Sequence, residues 1–348
     1  MGNRANIVLV DRDGWQLRYS HWAGCRMLDA LLAGPDMAER YIRAQEVGKF
    51  WTDELWADGG LVLDLVERKL LFFGEELMAT MNERRAMLKL LAIMWPGYSI
   101  SWAYDATAEI AAYVGASFPL RDRPSRPELT LADDTTRLHH LVTVLGADGK
   151  IRAWPLWWGS SAAWHGPQLL EMLPGRGFHA LELGRIPESG VHLDVLGKAV
   201  GVWLTNPDPG LFRWLGRLWP GWRIDRWDDR YEEHFRRCGP SITAPELDLT
   251  SGIVEAEAWL RTRVFQSYED SPAGCVSSLA ALFGLSEPVS PVTAPATELP
   301  NAREWASFEL ACARWSAGSM IQSVASPLNL HLLHQILRKR VLVATLHV

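Results

Sequence analysis

The sequence predicts an α+β protein built as a tandem duplication: a ββα-ββα-βα unit over residues 5–116, repeated over 138–240, followed by a mostly helical region. Three collinear blocks of self-similarity carry this expectation, with alternating strands closed by Asp-Gly turns and helical stripes closed by Pro-Gly.

The longest block runs from Trp95 to Gly115 and aligns without gaps to Trp219–Gly239, an offset of 124. Trp95/Trp219, Pro96/Pro220, Gly97/Gly221, Ile100/Ile224, Asp105/Asp229, Glu109/Glu233 and Gly115/Gly239 are identical pairs. A second block pairs Gly60, Leu63 and Asp64 with Gly190, Leu193 and Asp194 at an offset of 130. The third pairs Asp13, Gly14, Trp22 and Gly24 with Asp148, Gly149, Trp157 and Gly159 at 135, and sets Ile7 and Leu9 opposite Val142 and Val144. Offsets that shrink along the chain fit a second copy with two shorter loops.

Within the first unit, residues 5–10 alternate as a strand, Asp13-Gly14 supplies a hairpin turn, and 15–22 return as its partner. A helix is expected over about 25–45, then a second hairpin with strands at about 60–66 and 69–73. Met87, Leu90, Leu91 and Met94 make a helical stripe over 83–94, which Pro96-Gly97 stops. A strand over 98–103 and a short helix over 105–114, closed by Gly115, complete the unit. Hairpins so placed predict largely antiparallel sheets with helices on one face.

The connector 117–137 is rich in Pro, Arg and Asp, which suits an exposed link. After Pro240, helices are expected at about 251–269 and 272–283, then a Pro/Ala/Thr linker at 287–300. Asn301 with Glu304 has the form of a capping box, opening a helix with Trp305, Phe308, Cys312 and Trp315 on one stripe. Ser326-Pro327 opens a last helix, and the tail Val341–Val348 is apolar. The chain thus divides into 1–116, 117–137, 138–240 and 241–348.

Hydrophobic residues at 48% and charged residues at 22% are the proportions of a packed chain rather than a disordered one. A net charge of −6 leaves no basic surplus for phosphates, so nucleic acid is not an expected partner. No stretch reaches the roughly 18 apolar residues of a membrane span, and Met1-Gly-Asn-Arg-Ala-Asn lacks the apolar core of a secretory signal. Cys25, Cys238, Cys275 and Cys312 are scattered with no CxxC, which reads as free thiols of a reducing cytoplasm. Arginine far outnumbers lysine, a bias associated with GC-rich bacterial coding.

There is no Walker loop, GxSxG elbow, HExxH or zinc ribbon, so neither a cofactor nor a metal is expected. Gly175-Arg-Gly177 lacks the third glycine and the preceding strand of a dinucleotide fingerprint and reads as a loop. His331 and His334 have no further ligand within a turn, and His139 and His140 on a strand point to opposite faces. Asp11 and Asp13 flank a turn, where Asp serves the backbone.

Residues that both copies share read as scaffold: Trp95/Trp219 and Trp22/Trp157 as core, Asp105/Asp229 as helix N-caps. Positions where the copies differ carry more functional information. His21 stands opposite Leu156, and Cys25 opposite Ser160, at a predicted helix start that would lower a thiol pKa, with an imidazole at hand as base. That pair is the catalytic candidate. Tryptophan is the compositional anomaly, at 18 of 348 residues, and the unshared Trp15, Trp56, Trp102, Trp158 and Trp164 are candidates for a recognition surface.

These readings favour a non-catalytic interaction factor of the bacterial cytoplasm, of immunity or regulatory type, whose partner is another protein. Two alternatives stay open: a cysteine-dependent hydrolase or transferase using Cys25 and His21, and a small-ligand or carbohydrate binder in the cleft between the copies.

Overall fold

The computed structural model describes residues 3–21, 23–119, 129–157, 161–249, 252–253, 255–256, 260 and 301–324. In the first repeat, β1 (Arg4–Asp11) and β2 (Gly14–Ser20) form the expected hairpin. They are followed by α1 (Leu28–Leu31), α2 (Pro35–Ala44), β3 (Glu46–Val47), β4 (Ala57–Asp64) and β5 (Lys69–Phe73). The repeat closes with α3 (Met81–Met94), β6 (Ser99–Trp102) and α4 (Ala106–Tyr113). The second repeat runs β7 (His140–Leu145), β8 (Ile151–Leu156), a 3-10 segment Ala162–Gln168, α5 (Leu169–Met172), β9 (Leu181–Glu182) and β10 (Ser189–Asp194). Then come β11 (Ala199–Leu204), α6 (Leu211–Leu218), β12 (Arg223–Arg226), α7 (Tyr231–Cys238) and β13 (Ile242–Thr243).

The two sheets share one strand order, β2-β1-β4-β5-β6 in the first repeat and β8-β7-β10-β11-β12 in the second, with β3 added to the first. Their registers agree residue by residue. Ile7 pairs with Leu61 as Val142 pairs with Val191, and Leu63 with Leu70 as Leu193 with Val200. Leu70 pairs with Ile100 as Val200 with Ile224. These couples reproduce the offsets of 135, 130 and 124 read from the sequence.

Both sheets are mixed, not largely antiparallel: β1 and β4 are parallel, as are β5 and β6. A hairpin needs only a turn, but the helix-bearing connections after β2 and β5 carry the chain back to the same end. Covering segments also lie on two faces. Neighbouring Gly59 and Gly60 point oppositely; a methyl on Gly59 would lie 2.1 Å from the Gly24 carbonyl oxygen, and one on Gly60 2.9 Å from Ile110 Cδ1 of α4.

The single helix expected over 25–45 is two. Gly34 takes φ 92°, and Pro35, whose ring presets helical φ and whose missing N–H costs nothing at a first turn, starts α2. The Leu31 carbonyl left by that break accepts the indole N–H of Trp95 at 2.8 Å. In the second repeat Trp219 donates to the Ala163 carbonyl at 2.9 Å. Both indoles are buried, and both residues end their helices with nearly identical backbone angles (φ −117° and −115°).

Asp64 holds the turn after β4 by accepting from the amides of Val66 (2.9 Å) and Glu67 (2.8 Å), and Asp194 accepts from Gly197 at 2.8 Å. Arg68 and Lys198 then share a left-handed φ, 49° and 43°. The second half of the connector is no exposed link: Leu131 bridges to Leu156 at the outer edge of β8, and the Trp157 amide donates to Thr130 at 2.9 Å. Strand β8 is the outer strand of its sheet, and that edge is covered by the connector at Leu156 and by Phe178, which exchanges two backbone hydrogen bonds with Ala153 at 2.8 Å.

The capping box at Asn301 is present: its Oδ1 accepts from Glu304 N at 3.1 Å while Glu304 Oε2 accepts from Asn301 N at 2.8 Å. It opens α8 (Ala302–Val324), which packs on α3 with Phe308, Cys312 and Trp315 buried. The side chain of Trp305, the segment 261–300 with most of the helix expected over 251–269 and all of that over 272–283, the last expected helix and its tail, and with them His331 and His334, lie outside the described residues. One continuous apolar core runs through both repeats and α8. Among the described residues, no helix is long and apolar enough to cross a membrane.

Candidate functional site

The shared aspartates are not caps of their own helices. Asp105 makes no side-chain bond to α4; its carboxylate accepts from the amides of Phe212 and Arg213, both at 3.1 Å, at the start of α6 in the other repeat. Asp229 in turn accepts from Arg85 of α3 at 3.2 Å. Since α3 and α6 are equivalent helices, each repeat uses the same aspartate to grip the same helix of its twin. Glu109 adds a bidentate pair to Arg226 at 2.8 and 3.0 Å, and the buried guanidinium of Arg84 donates to the Thr205 carbonyl. Burial raises the Asp105 carboxyl to about 6, outweighing the two amides that stabilise its anion.

Beside this junction lies a cavity of about 280 Å³, lined by Glu54, Phe73, Glu75, Trp102 and Thr107 from the first repeat and Asn206 from the second. Trp102 is buried there, edge-on to Phe72 at 5.3 Å, with the Arg84 guanidinium over its ring. Its indole N–H has no acceptor among the described residues.

The catalytic candidates occupy different surroundings from those expected. Cys25 is half-buried in a turn, where its Sγ accepts from Asn3 Nδ2 at 2.7 Å. The nearest helix starts only at Leu28 and is four residues long, so the helix-terminus ground for an acidified thiol does not hold. His21 shares a hydrogen bond at 2.9 Å with the Tyr19 hydroxyl, and partial burial beside Arg4 lowers its pKa. His139 and His140 point apart as expected: His139 meets Glu188 at 2.9 Å, and His140 meets the buried Ser189 hydroxyl at 2.8 Å.

The tryptophans divide. Trp15 and Trp56 are exposed, whereas Trp102 and Trp164 are buried, and Trp158 lies outside the described residues. Trp164 is an anchor, not a surface: its N–H donates to Asp208 at 2.9 Å. Trp157, expected in the core with Trp22, is 36% exposed between Arg137 and His139; Trp22 itself is outside the described residues.

One cluster escaped the sequence reading. His192 on β10, and His234 and Cys238 one turn apart on α7, converge on the Thr143 hydroxyl of β7, at 2.8, 2.6 and 3.5 Å. All four are buried. Trp203 Nε1 donates to the other nitrogen of His234 at 2.9 Å. Burial holds His192 down to about 4, places His234 well below its ordinary range, and pushes the Cys238 thiol up to about 11. The repeat alignment would have revealed it: Thr143, His192, His234 and Cys238 stand opposite Val8, Val62, Ile110 and Val114.

Compared with protein-family models, curated proteins and solved structures, the chain matches none.

Proposed function

We propose that the protein is a non-catalytic interaction factor, of immunity or regulatory type, that engages another protein through the outer edge of its first repeat. The observation that carries this reading is a run of exposed apolar side chains: Val47 (60%), Phe50 (79%), Leu55 (65%) and Trp56 (57%), with Trp15 (43%) on the neighbouring strand. Trp51 ties the run together, its ring 6.2 Å from Trp15 and 6.1 Å from Phe118. A soluble surface rarely gathers so many large apolar groups without a partner, and rigid aromatics lose little entropy on binding. At the equivalent edge of the second repeat the connector covers β8; β3, only two residues long, leaves most of β2 uncovered among the described residues.

The test is site-specific photo-crosslinking in cells that make the protein, with the probe at Phe50 or Trp56 and a control at exposed Leu196 of the second repeat. A single protein should be captured from positions 50 and 56 and not from 196. Purified, it should bind the wild type and lose at least tenfold in affinity to a Phe50→Ser/Trp56→Ser variant, about 1.4 kcal/mol or more. Unchanged affinity, or capture only of a second copy of this chain, overturns the reading. The cavity between the repeats favours a second reading, a small-ligand binder whose ligand offers an acceptor to the Trp102 N–H.

A further inference from the structure

We propose that the second repeat contains an interior binding site for a zinc-class transition metal, with His192, His234 and Cys238 as its protein ligands. The three donor atoms lie within 4.8 Å of one another, and two neutral imidazoles with a thiol are the donor set that soft and borderline ions select over calcium or magnesium.

The two repeats differ at this place in a coordinated way. In the first repeat the equivalent positions are the buried Val8, Val62 and Ile110, with the partly buried Val114 packed against the same core, so neither the fold nor the sheet-to-helix packing needs a polar group there. Four apolar positions have become Thr143, His192, His234 and Cys238 together, three of them metal-ligating residue types. Burying imidazole and thiol where aliphatic groups pack well costs stability, and such a departure from a working core marks a site.

Hydrogen bonds to the cluster fix the proton position on one of its histidines. An indole N–H can only donate, so Trp203 fixes His234 Nδ1 as acceptor and leaves its proton on Nε2. That Nε2–H donates to the Thr143 hydroxyl, which lies 2.8 Å from His192 Nδ1. His234 is therefore neutral and need lose no net proton to ligate. When a divalent ion enters, the Thr143 hydroxyl gives way, Cys238 Sγ forms the bond to the ion, and its proton leaves to solvent. His234 ligates through Nε2, so its proton passes to Nδ1 and the bond from Trp203 breaks. The ion's charge is met by the Cys238 thiolate and by Asp194 and Asp225, which both favour positive charge at His192, against the opposing Arg237. Trp203, which stands where the first repeat has Phe73, is thus a lock on the site.

The experiment is titration of chelator-treated full-length protein with Co²⁺, read as the thiolate-to-cobalt absorption band, and with Zn²⁺ in competition. One equivalent should bind with one proton released, and zinc should raise the thermal midpoint. Cys238→Ser should abolish the band. Trp203→Phe should tighten binding about tenfold by removing the competing hydrogen bond. A Thr143→Val/His192→Val/His234→Ile/Cys238→Val variant, which installs the first repeat's own core, should fold and bind no ion; if it does not fold, Cys238→Ser carries the comparison. A band that survives in Cys238→Ser, or its absence from both wild type and Trp203→Phe, overturns the proposal.

Discussion

Replacing Asp105 by Asn should make the protein more stable at neutral pH, although Asp105 is shared by both repeats and holds the start of α6. Its carboxyl is almost wholly buried and its pKa is raised from 3.8 to about 6, chiefly by desolvation. A carboxyl raised on folding favours the native state most when protonated. Its contribution is complete below about pH 3.8, the unfolded value, and is lost as pH climbs through about 6. A shift of that size corresponds to about 3 kcal/mol of native-state cost for the anion at pH 8. Asparagine has the shape of the protonated acid and pays none of it, but offers one good acceptor to two amides, which gives back about 1 kcal/mol. The variant should therefore gain about 2 kcal/mol at pH 8, and be equal or about 1 kcal/mol weaker at pH 4. Urea unfolding of both proteins at intervals from pH 4 to 8 measures this as a difference, in which every other titrating group cancels. A difference that is flat with pH, or a variant weaker by more than about 1 kcal/mol at pH 8, would refute the claim that desolvation outweighs the two amide bonds.

Trp95→Ala and Trp219→Ala should each cost about 3–5 kcal/mol by denaturant titration, since each removes a buried indole and its hydrogen bond to a backbone carbonyl; a cost below about 1 kcal/mol at either site would sink their equivalence as core plugs. Gly190→Ala should destabilise by about 1–3 kcal/mol or more, because the new methyl would lie 2.2 Å from Trp203 Nε1. Gly216→Ala, on the exposed side of α6 with open space around it, should instead stabilise by about 1 kcal/mol, and thermal melts of the two variants should move in opposite directions. Glu304→Gln removes both the bidentate pair with Arg40 (2.8 and 3.0 Å) and the anionic half of the capping box. About 1 kcal/mol of α8 docking should go with it, seen as faster limited proteolysis within 301–324; unchanged cleavage would mean the apolar stripe alone holds the helix.

What the sequence made legible follows from what each kind of residue is bound to do. Turn aspartates and Pro-Gly stops act on their own backbone, so Asp11, whose carboxylate accepts from the Asp13 amide, and the ends of α3 and α6 could be placed from local chemistry alone, and identical pairs then fixed the repeat. The partner of Asp105 was not legible for the opposite reason. A carboxylate before a helix satisfies local rules as an N-cap, and only the docking of two repeats, set by side chains far apart in the chain, sends it to α6. The edge tryptophans show the same divide. Nothing in the neighbourhood of Trp102 or Trp164 separates them from Trp15 and Trp56, because their burial comes from groups distant in the chain: Arg84 and the second repeat's Asn206 beside Trp102, and Asp208 on Trp164. Parallel pairing was missed because alternation of apolar residues records which face is buried, not which way the adjoining strand runs.

The His192–His234–Cys238 cluster marks where sequence reasoning could have gone further with no new principle. Its members are 42 and 4 residues apart, so no spacing motif joins them, and His234 and Cys238 alone read as an ordinary helix face. The duplication supplies what spacing lacks. Once Ile7 is aligned with Val142, Leu63 with Leu193 and Trp95 with Trp219, each histidine acquires an apolar counterpart, and the counterparts already lie together in the first repeat's core. Two residues that stand opposite Val62 and Ile110 must then face each other, because α7 packs on β10 as α4 packs on β4. A duplicated chain thus carries an internal control for every position. Agreement between the copies reports what the fold requires, and a coordinated departure inside an otherwise shared core places the departing side chains in contact once the packing of one copy is known.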